Sequence, residues 1–295
     1  MNSSAAFVAA AEPLPGRVPN FEHPDDVYHT ANTFTNVLCL TMMTLFFAAR
    51  VYVKTVIKRG EFLLEDWFCV ASWILTTALG LCFIMMTHYG EGYHVWELSE
   101  QAFQNYLTWL YMSTLLYNPA AFATKVSLLL MIARVFSVHQ RVSLGIRIMC
   151  VVFAVMYLPI QGIKVRHPVK ETETIILPPL THLSSQIFVC NPISTYWTDT
   201  SHLSINGANP RCMNQAKLFA VDQILAIIAD FIILVMPIPL TLSMRLSARV
   251  RLRIIFMLSV GGSALGAVVL KLYKTFELLP SDDITVSFSV LSILS

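Results

Sequence analysis

Residues 66–87 read DWFCVASWILTTALGLCFIMMT, and after Asp66 the run carries no charged side chain. As a helix it is about 33 Å long at 1.5 Å per residue, enough to cross a hydrocarbon core of about 30 Å. Its surroundings decide whether it lies in lipid or in a globular core. The chain of 295 residues is 56% hydrophobic and 13% charged, with a mean hydropathy of +0.63. Soluble domains carry about 25% charged residues, so the apolar excess runs through the whole chain. The net charge of +2 comes from basic residues dispersed between apolar blocks. That distribution gives no nucleic-acid surface, and the expected surroundings are a lipid bilayer.

Working outward, a first apolar block covers 30–53 and a third covers 101–135, the latter with Asn118-Pro119 as an expected kink. A fifth covers 214–242 and ends on Pro237 and Pro239, and a sixth covers 252–272 with the small-residue run GGSALGA. The fourth, 144–160, is short before QGIKVRHPVKETETIILPPLTHLSSQ interrupts it. The last, 284–295, gives a helix of about 18 Å, too short for a full crossing. Counting both, the expected fold is all-α. It is a polytopic seven-transmembrane-helix bundle with the fourth helix interrupted and the seventh truncated.

Basic residues near span ends orient the bundle. Arg50, Lys54, Lys58 and Arg59 follow the first span, Arg134, Arg141 and Arg147 the third, and Arg245, Arg249, Arg251 and Arg253 the fifth. Residues 88–104 contain no Lys or Arg but do contain Glu91, Glu97 and Glu100. The basic gaps are therefore expected in the cytoplasm, with residues 1–29 as an extracellular tail and 30–295 as the membrane domain. The run AAFVAAA near the start lacks a positive flank, so the first span is expected to act as the targeting signal. Asn2 opens the sequon Asn2-Ser3-Ser4 on the outer side, which is either a glycosylation site or a chance occurrence.

Several spaced stretches then form a set: RVYVK (50–54), EDWF (65–68), HYGEGYH (88–94), KVSLLLMIARVF (125–136), CNPISTYW (190–197), Cys212, Asp230 with PIPL (237–240), and GGSALG (261–266). In this order they resemble the fungal heptahelical family labelled rhodopsin-domain or integral membrane proteins, over roughly 30–295. The resemblance implies a membrane protein akin to G-protein-coupled receptors implicated in fungal pathogenicity, or to members lying in secondary-metabolite gene clusters. The chain departs from that pattern in four places. Ala226 stands where the family often has asparagine, and residues 161–186 have no recognised counterpart. A full seventh span with its tail is missing, as is the extracellular cysteine-rich domain of some receptor-like members. Excising 161–186 would join VVFAVMYLPI to IFVCNP as one continuous fourth span. That stretch reads as a retained intron, with a genuine outer loop as the alternative.

Cys190 and Cys212 both fall on the outer, oxidising side. A bridge between them closes a loop of about 20 residues, worth about 3 kcal/mol in the chain-entropy picture. Asp230 lies near mid-membrane in LAIIADFIILVMPIP, where an unpaired acid costs about 2.5–3.5 kcal/mol. Lys125 lies about 13.5 Å deeper than Arg134, at comparable depth, which suggests a Lys125–Asp230 ion pair. Such a pair reads as a conformational latch, as part of a ligand pocket, or as a static bridge, and the remaining alternative is a snorkelling Lys125. At the cytoplasmic side, Arg50, Lys54, Glu65, Asp66 and Trp67 form a second candidate switch network, with Trp67 at the interface.

Histidines His88, His94 and His202 lack metal-ligand spacing, and Gly90 and Gly92 read as a turn around YGEGYH. No nucleophile elbow is present. A retinal-type Schiff base would need a lysine in the seventh span, whereas Lys271 and Lys274 sit at the outer end of the sixth, so no cofactor is expected. The expected function is non-enzymatic, receptor-like sensing of a small molecule, with a G protein as a candidate coupling partner and the plasma membrane as the expected location. The alternative is a metabolite transporter or accessory membrane protein of a secondary-metabolite pathway. Analogy of family and fold is a weak warrant for either.

Overall fold

The computed structural model describes residues 9–11, 20–21, 24–57, 62–135, 140–157, 190, 195–198, 215–236, 238, 248–278 and 283–294. Asn2, Cys212 and the stretch 161–186 lie outside these. The described chain is helical and contains no strand, only isolated bridges at Ala9–Ser99 and Glu91–Tyr93. Its long helices are α1 (His29–Tyr52), α2 (Leu64–His88), α3 (Glu100–Val135), α4 (Gln140–Tyr157), α5 (Gln215–Val235), α6 (Ala248–Leu278) and α7 (Ile284–Ile293). Among the described residues, three segments are long and apolar enough to cross a membrane: His29–Ile57, Leu64–His88 and Glu100–Arg134.

Each expected apolar block appears as a helix, and the shifted boundaries have physical causes. The fifth block was expected to reach residue 242, yet α5 ends at Val235, two residues before Pro237. Proline disfavours helical geometry in the residue before it. The sixth helix runs past its apolar block at both ends, taking in the helix-compatible stretches ARVR and YKTFEL. α3 continues through Pro119 from Glu100 to Val135, although the proline cannot donate to the Leu115 carbonyl. After Tyr52 the chain widens its register into one π-helical segment, Val53–Ile57.

Hydroxyls within these helices need partners where water is absent, and they find them along their own backbone. Thr41 donates to the Val37 carbonyl, Thr76 to Ser72, Thr77 to Trp73, Thr124 to Ala120 and Ser259 to Ile255. Large apolar side chains stand outward: Phe46 of α1 is 75% exposed and Phe256 of α6 is 69% exposed. On a water-soluble protein such a surface would be an association site, whereas here it matches lipid.

The chain divides into two compact units. One comprises residues 1–36, 83–110 and 190–295, and the other 37–82 and 111–189. In the second, Phe47 stacks on Trp73 at 4.6 Å, Phe68 meets Phe122 edge-on, and Ser72 and Thr124 hydroxyls lie 2.6 Å apart. In the first, α5 and α7 both pack on α6, with Thr275 donating to Gln223 at 3.0 Å and Phe219 meeting Phe288 at 5.4 Å.

The start of α1 is capped from outside the helix. Asp26 accepts the amides of His29 at 2.8 Å and Thr30 at 3.3 Å, and its carboxylate also takes the Thr30 hydroxyl. That side-chain bond, helped by the two amides, holds the Asp26 carboxyl below its ordinary range. Its contribution is full above the ordinary carboxylate range and is lost as pH falls through the lowered value. Asp26→Ala is expected to cost about 1 kcal/mol and Asp26→Asn much less, measured by thermal unfolding in detergent near neutral pH.

Candidate functional site

The acids at the start of α2 organise the basic end of the first three helices. Glu65 and Asp66 are adjacent, so their side chains diverge by about 100° around the helix axis. Asp66 turns to α1: its Oδ2 is 2.7 Å from Lys54 Nζ and its Oδ1 is 3.4 Å from Arg50 Nη2. Its Oδ2 also accepts the Leu63 amide at 3.1 Å, the reach-back half of a capping box. Glu65 turns to α3 and pairs with Arg134, while Ser127 donates to the Glu65 carbonyl. Both acids are buried, at 8% and 6% exposure, whereas the Arg134 side chain is 56% exposed. The carboxylates are thus held inside with Lys54, while Arg134 reaches toward water. A cavity of about 10 Å³, room for a single water, lies beside Arg50, Lys54, Asp66 and Cys69.

Sequence reasoning gathered Arg50, Lys54, Glu65, Asp66 and Trp67, and the structure brings the first two to Asp66. Trp67 stands apart from the ion pairs, 63% exposed and tilted against Phe62. Arg134 was read only as a marker of depth, and its role as the partner of Glu65 was missed. Its place in the last turn of the third block, level with the start of the second, was the available signal. Lys125 is buried on α3 in the second unit, and Asp230 is half-buried on α5 in the first. Cys39, Cys69, Cys82 and Cys150 are free thiols, and Cys190, 3% exposed, is not among them.

The other cluster lies around YGEGYH, in the first unit. Gly90 and Gly92 have φ of 112° and 99°, a region open to glycine and strained for other residues. The turn folds back so that Glu91 N donates to the Met86 carbonyl and Tyr93 N to the Gly90 carbonyl. Gly92 lies directly against the entry to α1: a Cβ there would sit 2.4 Å from the His29 nitrogen. Tyr28 N donates to the Gly92 carbonyl at 3.1 Å, and His29 Nδ1 is 3.1 Å from the Glu91 carbonyl. On the other side, Thr285 of α7 donates to the Tyr93 carbonyl at 2.7 Å. Asp283 takes His94 Nδ1 at 2.5 Å and the Val95 amide at 3.4 Å. One loop therefore ties the entry of α1, the end of α2 and the start of α7.

The Glu91 side chain is fully buried, and neither carboxyl oxygen has a hydrogen-bond partner among the described residues. Burial pushes its carboxyl up to about 8. The Asn32 amide pulls it back in part, without normal hydrogen-bond geometry to either oxygen. Sequence reasoning counted Glu91 only among the acids of the 88–104 gap, which lacks Lys and Arg. It read the glycines as a turn but not the side chain between them as interior.

An all-helical chain with several apolar helices of spanning length and buried acids paired to cations at their ends is a helical membrane protein. Its sequence matches the fungal rhodopsin domain over residues 49–167 and 174–295, and the chain belongs to that family. The break between the matched segments falls inside the 161–186 stretch. No curated protein and no solved structure matches the chain.

Two measurements probe these clusters. Gly92→Ala forces a Cβ onto the His29 backbone at a positive φ and is expected to cost about 3 kcal/mol, read as a lowered unfolding temperature. Asp66→Asn keeps the shape but removes the charge facing Lys54, and an expected loss of about 2 kcal/mol is checked the same way.

Proposed function

We propose that this protein is a non-enzymatic, receptor-like sensor of a small molecule, built as a seven-helix bundle in the plasma membrane with its N-terminus outside. The observation that carries this reading is the fork at Glu65 and Asp66, which holds α1 through Lys54 and Arg50 and α3 through Arg134. Ion pairs at helix ends are either made or broken, so they supply the two-state element that a signalling change requires. The basic stretches at the same helix ends suit contact with a cytoplasmic partner such as a G protein. A Cys190–Cys212 bridge on the outer side belongs to the same proposal, and a cross-linked peptide pair in non-reducing digestion tests it.

The full chain, expressed in a eukaryotic host with surface level matched by an epitope tag, tests the receptor reading through cyclic-nucleotide and calcium reporters. Asp66→Asn and Arg134→Gln are expected to raise basal output by about fivefold, the lower range of allosteric coupling. The exchange Glu65→Arg with Arg134→Glu, which re-forms the pair, is expected to return output to the wild-type basal level. Unchanged output in every variant, together with uptake of labelled host metabolites by reconstituted vesicles, overturns it in favour of a transporter. Pro119 within α3 is the feature that favours that second reading, since transporters break helices around mid-membrane sites.

A further inference from the structure

Among the described residues, none offers the Glu91 carboxyl a cation of its own. The entry of α1 brings Asp26, His29 and Asn32; the α2–α3 loop brings Tyr93, His94 and Glu97; α3 brings Tyr106. The turn Thr195–Thr198 brings Tyr196, and the start of α7 brings Asp283. Both imidazoles have other engagements: His29 Nδ1 lies on the Glu91 carbonyl with its ring stacked on Tyr93, and His94 Nδ1 lies on Asp283. Asn32 donates to Thr87. The Tyr106 hydroxyl, fully buried and within electrostatic reach of Glu91, has no hydrogen-bond partner among the described residues, and the buried Trp96 indole nitrogen has none among them either. A carboxylate desolvated to this degree without a counter-charge is strongly disfavoured, whereas a carboxylic acid is tolerated and can itself donate.

We propose that Glu91 is a proton-binding site that latches the Gly90–Gly92 turn. With its carboxyl protonated, the turn docks the side chain inside the bundle. Once the proton leaves, the turn carries the carboxylate out to water and releases its bonds to Tyr28 and Thr285. The glycines make this movement feasible, since each is free to leave its positive φ without a Cβ in the way. The released contacts are those that hold the entry of α1 and the start of α7, so the outer side would report alkalinity to two helices. Nothing in this device depends on whether the protein signals or transports.

The direction of the effect follows from the two states. Docked, the carboxyl titrates at about 8; undocked, in water, it titrates in the ordinary carboxylate range. The undocked form therefore binds fewer protons between those limits. Docking is complete at acid pH and weakens as pH rises toward about 8, the opening equilibrium growing by up to about tenfold per pH unit.

The test uses the full chain in lipid nanodiscs and follows amide hydrogen exchange of a peptide spanning residues 89–96, corrected for base-catalysed exchange. Wild-type protection is expected to fall by up to about tenfold per pH unit between about pH 6 and 8. Glu91→Gln, the neutral mimic, is expected to stay protected throughout and to lack the infrared band of a protonated carboxyl. His94→Asn is expected to keep the wild-type pH response. An unaltered response in Glu91→Gln, or one abolished by His94→Asn, overturns the proposal. Protection that depends on sodium at constant pH also overturns it, because the occupant is then a metal cation. If Glu91→Gln fails to fold, Tyr106→Phe takes its place, removing the hydroxyl beside the acid. It is expected to displace the pH midpoint, and an unmoved midpoint overturns the proposal.

Discussion

A carboxylate leaving water must find a cation, a set of donors or a proton, and that requirement shapes the described ends of α1, α2 and α3. At the start of α2, Asp66 is met by Lys54 and Arg50 and Glu65 by Arg134. The two acids point to different helices because consecutive residues of a helix face different ways. A pair spaced three or four apart would have gripped one neighbour twice. Such pairs add little net stability, since their desolvation cost offsets much of the attraction, but they specify which helix end lies beside which.

In the YGEGYH turn the same requirement is met differently. No lysine or arginine lies between residues 88 and 104, His29 and His94 are engaged elsewhere, and His88 is exposed. The turn nevertheless places Glu91 inside, because its two glycines adopt backbone angles that bring its carbonyls to Tyr28 and Thr285. The raised carboxyl is the consequence of that backbone arrangement. The rest of the helical structure answers the parallel requirement for uncharged polar groups. Threonine and serine hydroxyls bond back to their own helix, so α1, α2, α3 and α6 present apolar flanks without unmet hydroxyls at those positions.

Much of this was legible in the residue order. Long uncharged runs dictate helices in lipid, because the backbone there has no other partner for its amides. The gap between the first two spans is short, so Arg50, Lys54 and Asp66 had to be near one another. The Glu65–Arg134 pair needed α3 to be placed beside α2, which loop lengths do not fix. Glu91 entered the sequence reading only as one acid of the 88–104 gap, and only the chain closing over that loop reveals its burial. The fifth helix ends at Val235, two residues before Pro237, although the apolar run that marked the span continues beyond it.

Amino-acid order alone therefore determined the solvent, the helices and the family pattern, because transfer energies and backbone hydrogen bonding act locally along the chain. Only the tertiary structure decided which acids are paired and which is buried alone. In helices that are apolar nearly all round, the sequence carries little record of which face meets a neighbour. The burial of a side chain depends on the segments that close over it.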